Sequence, residues 1–581
     1  MLDEILHNKR LTHLVPIIDW TRTYRREWLR DDLVSGVVVG MIMIPVAMAY
    51  AQMAGVPPQA GLYSAIVGMT AYALFATSRH LKITTSSTMS IMSLAVVAPL
   101  AAGDPAMLMT LSSALALTVG VIMLALSLAK LGFISDFLAK SVMTGYVFGV
   151  ACLIAMSQLP KMFGVSGGDG NFFEQLRQLI VQLPQTNLYS LALGLGTLLL
   201  IFLIKRFKPI IPGALIALIL GIILTAYFDL STLYGVSVVG VIPTGMPAPA
   251  FPIVSLEMIP VLIAGAAGIV FLAVGETLGT GRTFAAKYHY ELDADQELLA
   301  IGAANISSGM FQGITIDMSL SNTASGEAVG ERTQLSSLVS AGLILAVVLF
   351  LAPLLKNLPS AVLGAIVLSS ILGLFNVAEL KRYYAQRKTD FALAIIALAG
   401  VITTDVMTGL TIAVLLSLVM LLYRASRPYI AVLGKRPDAP GQYIDVSRHA
   451  DAEHVPGLVI LRLDAPLYFF NANVARTQIL TRLKSDPPPQ AILLDLGASA
   501  DFDIGTSDML QSLIIDLRDD RIDLLFAQVR GSVRDRMRLT GLLEHIGEEH
   551  IYMTVDAAVR AFEARPVQEF KPPEITTDPA A

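Results

Sequence analysis

From Leu33 to Tyr423 the chain reads as one apolar run after another, most of them close to the roughly 20 residues a helix needs to cross a bilayer. Hydrocarbon offers no water to backbone N–H and C=O groups, so each crossing segment must pair them internally, and runs of this length do so as α-helices. About fourteen spans are expected: Leu33–Met53, Gln59–Ala76, Ser87–Ala101, Ala106–Leu128, Ile134–Leu159, Tyr189–Ile204, Ile211–Phe228, Leu256–Gly279, Ala294–Phe311, Ser319–Gly330, Leu335–Leu351, Ser360–Phe375, Phe391–Thr403 and Val406–Tyr423. Hydrophobic residues make up 54% of the 581 positions and charged residues 15%, against roughly 25% charged in a soluble domain, which excludes an ordinary water-soluble globule. The charges are also sorted: about one residue in nine up to Pro428 and about one in four from Tyr429 onward, so a soluble domain follows the apolar body.

An even number of spans puts both termini on one side. The basic residues Arg79, Lys82, Lys130, Lys140, Lys205, Arg206, Lys208, Arg282, Lys287, Lys381 and Arg382 all follow even-numbered spans, whereas the other side offers chiefly Lys161, Arg177 and Lys356. The positive-inside rule then makes both termini cytoplasmic. The first thirty residues hold Arg22, Arg25, Arg26 and Arg30 but no apolar core followed by a cleavage site, so no removable signal peptide is expected. The organisation expected is a cytoplasmic segment 1–30, a transmembrane body 31–428, a linker 429–441, an α/β domain 442–564 and a disordered tail 565–581. The single cysteine, Cys152, excludes a disulfide framework, and the net charge of -5, with no basic stripe outside the membrane flanks, argues against a nucleic-acid partner. No His/Cys/Asp set has metal-ligand spacing, the Gly164–Gly170 stretch lacks the lysine of a phosphate loop, and no nucleophile and base constellation appears, so neither an enzyme, a metal site nor a cofactor is expected. His7, His289 and Asp405 read as solvated, loop or cap residues.

The third and tenth spans are too short to cross alone at about 1.5 Å of rise per residue. Each follows an extended, hydroxyl-rich stretch, Ile83-Thr84-Thr85-Ser86-Ser87-Thr88 in one case and Ile314-Thr315-Ile316-Asp317-Met318-Ser319 in the other, at matching places in two halves of seven spans. An odd number of spans per half makes the repeats inverted, and paired interrupted helices are the best sequence pointer to a substrate site at the bilayer midplane. A helix amino terminus leaves N–H groups unpaired at the positive end of its dipole, and Ser and Thr hydroxyls donate without adding charge, so such a site favours a small anion. The alternative is a pair of Ser/Thr-rich breaks that serve helix packing alone.

The run Pro57-Pro58-Gln59-Ala60-Gly61-Leu62-Tyr63-Ser64-Ala65, with Tyr72 and Thr77-Ser78-Arg79 after it, resembles the signature of the SulP family of inorganic anion transporters, and Gly275-Glu276-Thr277 through Gly281-Arg282-Thr283-Phe284-Ala285 is similar to the eighth helix of its proton-coupled sulfate carriers. The resemblance implies a substrate-carrying core domain that moves against a gate domain in an elevator-like cycle, usually in a homodimer, with sulfate, bicarbonate, chloride or small dicarboxylates as substrates. The chain departs from that pattern at Val46, where many members have a substrate-contacting Gln while Tyr50 is kept, at Thr84-Thr85 in place of Gly-Pro, and at Asn322 in place of an Arg. Anion contacts are expected from Tyr50, Thr84, Thr85, Ser87, Thr88, Ser319, Ser321 and Asn322.

Glu276 lies inside the eighth span, where an ionised carboxylate is costly unless paired, protonated or hydrated, so coupling-ion chemistry is expected of it; a structural hydrogen bond or a pair with Arg282 is the other reading. Thr280 shares its helical face and could join it around Na⁺ or a proton relay. Asp317 is either the cap of the tenth helix or a second negative charge for a cation to neutralise, and Glu327 is expected to pair with Arg332. Two carboxylates with no arginine at position 322 argue for obligatory symport.

From about Gln442 short apolar strands alternate with amphipathic helices: strands at Leu458–Leu463, Ala491–Leu496 and Ile522–Phe526, helices near Ala472–Leu483, Thr506–Leu517, Val533–Thr540 and Ala557–Phe562. That predicts a mostly parallel sheet. Asp464-Ala465-Pro466-Leu467-Tyr468-Phe469-Phe470-Asn471-Ala472 and Leu493-Leu494-Asp495-Leu496 resemble the STAS domain attached to SulP carriers, with Ile504 where phosphorylated relatives carry a serine, so no phosphate switch is expected there. The whole reading is an α-helical polytopic protein of the inner membrane with a cytoplasmic STAS-like domain, a cation-coupled carrier of a small anion, sulfate with H⁺ foremost and Na⁺ with bicarbonate or a dicarboxylate as alternatives. Its expected partners are that anion, H⁺ or Na⁺, lipid, a second copy and a protein on the STAS domain. An anion-sensing signalling protein is the rival of another class.

Overall fold

The computed structural model describes residues 15–132, 140–168, 170–208, 212–404, 406–484 and 488–565. Fourteen helices coincide with the fourteen expected runs: α1 (Leu29–Met53), α2 (Pro58–Phe75), α3 (Ser87–Ala101), α4 (Pro105–Leu128), α5 (Lys140–Phe163), α6 (Leu188–Phe207), α7 (Gly213–Tyr227), α8 (Ile259–Tyr288), α9 (Ala294–Met310), α10 (Leu320–Val329), α11 (Leu335–Ala346), α12 (Ser360–Ile371), α13 (Lys388–Thr403) and α14 (Val406–Ala425). Among the described residues, seven helices are long and apolar enough to cross a bilayer by length and composition. The first residues expected for the fifth span, and Asp405, His7 and the tail after Arg565, lie outside the described residues.

The chain divides into two compact units, Met1–Leu418 and Val419–Ala581. Within the first, α9 packs along α4 and α2, α11 along α1 and α2, and α8 along α4 and α3; separately, α12 and α13 pack on α5, and α12 on α6. Helices approach closely where side chains are absent: at Gly61, inside the signature run, a Cβ would fall 2.0 Å from the Ala47 carbonyl oxygen, so this residue sets the α1–α2 contact.

The two extended stretches are β1 (Ile83–Thr84) and β2 (Asp317–Met318), which pair antiparallel, Ile83 with Met318 and Thr84 with Asp317. The α2 side chain Ser64 accepts from Ile314 N–H at 2.8 Å, and Asn305 of α9 brackets Ile316, accepting from its N–H at 3.0 Å and donating to its carbonyl at 2.8 Å. Irregular backbone is tolerated at this depth because buried side chains satisfy it.

In the second unit β3 (Ile430–Lys435), β4 (Tyr443–Asp445), β5 (Leu458–Leu463), β6 (Ala491–Asp495), β7 (Asp523–Ala527) and β8 (Ile551–Tyr552) form one sheet in the order β4-β3-β5-β6-β7-β8, with β5 to β8 parallel and β3 antiparallel to both neighbours. The stretch read as a linker, 429–441, thus supplies β3, which pairs with both β4 and β5. Alternate residues of β5 and β6 feed two cores. Leu461, Leu463, Ile492 and Leu494 meet α15 (Ala472–Thr481), α16 (Ile504–Asp519), α17 (Gly531–Leu539) and α18 (Leu542–Ile546), while Leu458, Ile460 and Leu493 meet α19 (Val555–Glu563).

Candidate anion site

Because β1 and β2 run antiparallel, α3 and α10 leave them in opposite directions, and both amino-terminal ends are directed at one two-residue ladder. Those ends carry unpaired N–H groups and the positive poles of two helix dipoles. Ser86 caps α3, accepting from Met89 N–H at 3.2 Å, and Ser87 and Thr88 form its first turn. Ser319 occupies the cap position of α10 without a side-chain cap bond, and its hydroxyl lies 3.4 Å from that of Ser321. Asp317 is therefore not the helix cap; it sits in β2, two residues earlier, opposite Thr84.

Of the eight residues expected to contact the anion, Thr84, Thr85, Ser87, Thr88, Ser319, Asn322 and Tyr50 are buried, while Ser321 is exposed. Tyr50 reaches the group from α1, its hydroxyl facing Ser87 of α3 and Ser370 of α12. The hydroxyls of Thr84 and Thr85 and the side-chain amide nitrogen of Asn322 make no hydrogen bond within the chain. Three orphaned buried donors around two converging helix starts are what a desolvated anion would satisfy. Val46 is buried on α1.

The two intramembrane acids come together. The α8 helix packs against β2, and the Glu276 and Asp317 carboxyls face each other, with Ser86 beside Asp317, although both Asp317 oxygens lack a hydrogen-bond partner within the chain. Thr280 is one turn further along α8, and no described hydrogen bond joins it to either acid. Thr277, which the sequence reading passed over, is fully buried next to Glu276 and its hydroxyl is also orphaned. Only its adjacency to Glu276 could have singled it out.

Glu327 does not pair with Arg332. It accepts from Lys287 at 2.5 Å and from the Tyr288 hydroxyl at 2.6 Å, while Arg332 lies 3.6 Å from Asp31. Lys82, read as a membrane-flanking charge, is instead wholly buried and paired with Glu331 at 2.8 Å. Neither Glu331 nor Glu297 was singled out in sequence, yet Glu297 accepts from Tyr72 and from the Thr77 and Ser78 segment at 2.5 to 2.8 Å. These acids are ordinary-looking flanking charges until the fold buries them.

A polytopic helical body with two interrupted helices converging on buried, unsatisfied donors defines a membrane carrier of small anions. Residues 29–397 match the sulfate permease family and residues 449–558 the STAS domain, and the chain belongs to the sulfate permease family. It is 37% identical over 545 residues to a probable sulfate transporter of Mycobacterium tuberculosis H37Rv, covering 94% of this chain and 97% of that one. The fold matches murine solute carrier 26 family member A9, an anion transporter in the inward-facing state, with a TM-score of 0.88 at 22% identity over 96% of this chain and 95% of that one. It also matches the transmembrane domain of the cyanobacterial bicarbonate transporter BicA, with a TM-score of 0.60 at 25% identity over 68% of this chain and 98% of that one. The chain is therefore a multi-pass membrane anion transporter and not an enzyme.

Proposed function

We propose that the chain carries sulfate by H⁺-coupled secondary active transport, as a homodimer in the inner membrane with both termini in the cytoplasm. The observation that carries this reading is the β1–β2 ladder, where orphaned donors of Thr84, Thr85 and Asn322 meet two helix starts beside a facing pair of acids. The relatives named probable sulfate transporters support the choice of anion. The acids support coupling: with Asn322 at the place of an arginine, two carboxylates beside a dianion are unfavourable until positive charge arrives. Two facing carboxyls can share one proton, and that arrangement of Glu276 and Asp317 supports H⁺ as the coupling ion. The helices pack most densely within two groups, α1 to α4 with α8 to α11 and α5 to α7 with α12 and α13, which meet where α1 touches α7 and α12, and this grouping supports an elevator-like movement of the first group.

Uptake of labelled sulfate into proteoliposomes, with H⁺ and Na⁺ gradients imposed separately, tests the proposal. Accumulation driven by the inward H⁺ gradient, and lost gradient dependence in Glu276→Gln, are expected. Bicarbonate accumulation driven by Na⁺ alone would replace this reading with that of a Na⁺-coupled bicarbonate carrier, for whose anion the likeness to a bicarbonate transporter speaks.

A further inference from the structure

Lys82 stands two residues before Thr84, and its side chain is completely buried against Glu331, whose side chain is equally inaccessible. The ammonium lies 2.8 Å from Glu331 Oε2 and donates to the hydroxyls of Ser336 and Ser337, on the first turn of α11, at 2.5 and 2.9 Å. All three of its protons are thereby used. The main chain of the same residue holds the other end of α10. Its N–H donates to Thr323 Oγ1 at 3.0 Å, and its carbonyl accepts from the N–H of Ser319, the residue at the α10 cap position, at 2.9 Å.

One residue therefore grips α10 at its first turn through the backbone and just beyond its last turn through the side chain. Gly326, between the two grips, leaves room for this, since a Cβ there would fall 2.2 Å from Glu331 Oε2. Gln334 fastens the same turn to the segment before β1, donating to the Ser78 and Leu81 carbonyls at 2.9 Å each.

As a neutral unit the pair adds no net attraction for an anion. A buried ion pair also seldom stabilises a fold more than apolar side chains of similar volume would, so stability alone explains it poorly. What an ammonium with three directed bonds does supply is a fixed register. We propose that Lys82 and Glu331 are a positioning pair for the anion: they fix α10 against β1, hence the separation of the two helix starts, and through it anion affinity and the choice between anions of different size. This rests on the reading of the β1–β2 ladder as the anion site.

The test is the double variant Lys82→Met/Glu331→Met in the full chain, reconstituted and assayed for labelled sulfate and bicarbonate uptake beside Thr84→Val. Lys82→Met alone strands a buried carboxylate and is expected to fold poorly, whereas the double variant keeps the volume without the charges. Its expected phenotype is a KM for sulfate raised about tenfold or more, a maximal rate within about twofold of the parent, and an altered sulfate to bicarbonate preference. A parental KM in the double variant, with KM raised in Thr84→Val, overturns the positioning role and leaves the anion site standing. A parental KM in both overturns the anion site and this inference with it. Should the double variant not fold, Glu331→Asp keeps the charge and shortens its reach, and a KM unchanged in that folded variant overturns the proposal equally.

Discussion

Thr84 and Thr85 each bury a hydroxyl that bonds nothing in the chain, so valine at either position removes a donor without leaving a broken protein bond. Thermal stability of Thr84→Val is expected to stay at or slightly above that of the parent. Losing a hydrogen bond to a charged ligand costs about 1.5–3 kcal/mol, so the KM for sulfate should rise roughly ten- to hundredfold, as measured in the uptake assay. Unchanged KM with unchanged stability would remove Thr84 from the site. The burial of these threonines without partners was foreshadowed in the sequence, because hydroxyls in an extended break within apolar spans have few structural explanations. Long-range partnerships were not. Lys287 reaches Glu327 from 40 residues away, and local spacing instead nominated Arg332, five positions along the chain. Asp317 misled for a related reason: its place near a helix start suggested a cap, but the cap position falls where the ladder ends, and that depends on a strand partner more than 200 residues earlier.

At the scale of elements, span existence followed from apolar length alone, and α3 coincides with its expected bounds, Ser87–Ala101. The sheet was only half legible, because β5, β6 and β7 each hold an apolar run of four residues whereas β4 and β8 are short edge strands. The sequence pattern placed the start of α16 at Thr506, but the helix begins at Ile504 with Asp503 as its cap. Asp503 Oδ1 accepts from Thr506 N–H at 2.9 Å and from its hydroxyl at 2.8 Å, and Oδ2 accepts from Phe469 N–H at 2.7 Å. Burial pushes this carboxyl up, but the bonds from Phe469 and Thr506 outweigh it and hold it below its ordinary value. Replacing Asp503 by Ala is expected to destabilise the domain by about 1–2 kcal/mol, the usual worth of such a cap. A group whose pKa is depressed by folding contributes above its unfolded value, about 4, and loses that contribution as pH falls through the folded value. The difference between parent and variant in denaturant melts should therefore be full at pH 7 and narrow below about pH 4. A difference independent of pH would mean that the carboxylate charge is not what caps α16.

At the scale of the whole molecule, every group assigned to the anion site, and the pair proposed to position it, lies before residue 332 or on the α11 and α12 helices of the first unit. The second unit closes two apolar cores of its own around its sheet, one fed by Leu461, Leu494 and Leu513 and the other by Ile460, Leu493 and Val559. Units that each bury their own core should fold and fail separately. A chain ending at Pro428 is therefore expected to fold in detergent and to retain a sulfate KM within about twofold of the parent, because every group assigned to the anion site belongs to the first unit. The maximal rate is free to change, since the STAS domain can bias how often the carrier cycles without touching what it binds. Measuring both constants separates these roles. A KM shifted tenfold or more in a folded, monodisperse truncated protein would show that residues beyond Pro428 shape the anion site itself, and the division of binding from regulation argued here would fall.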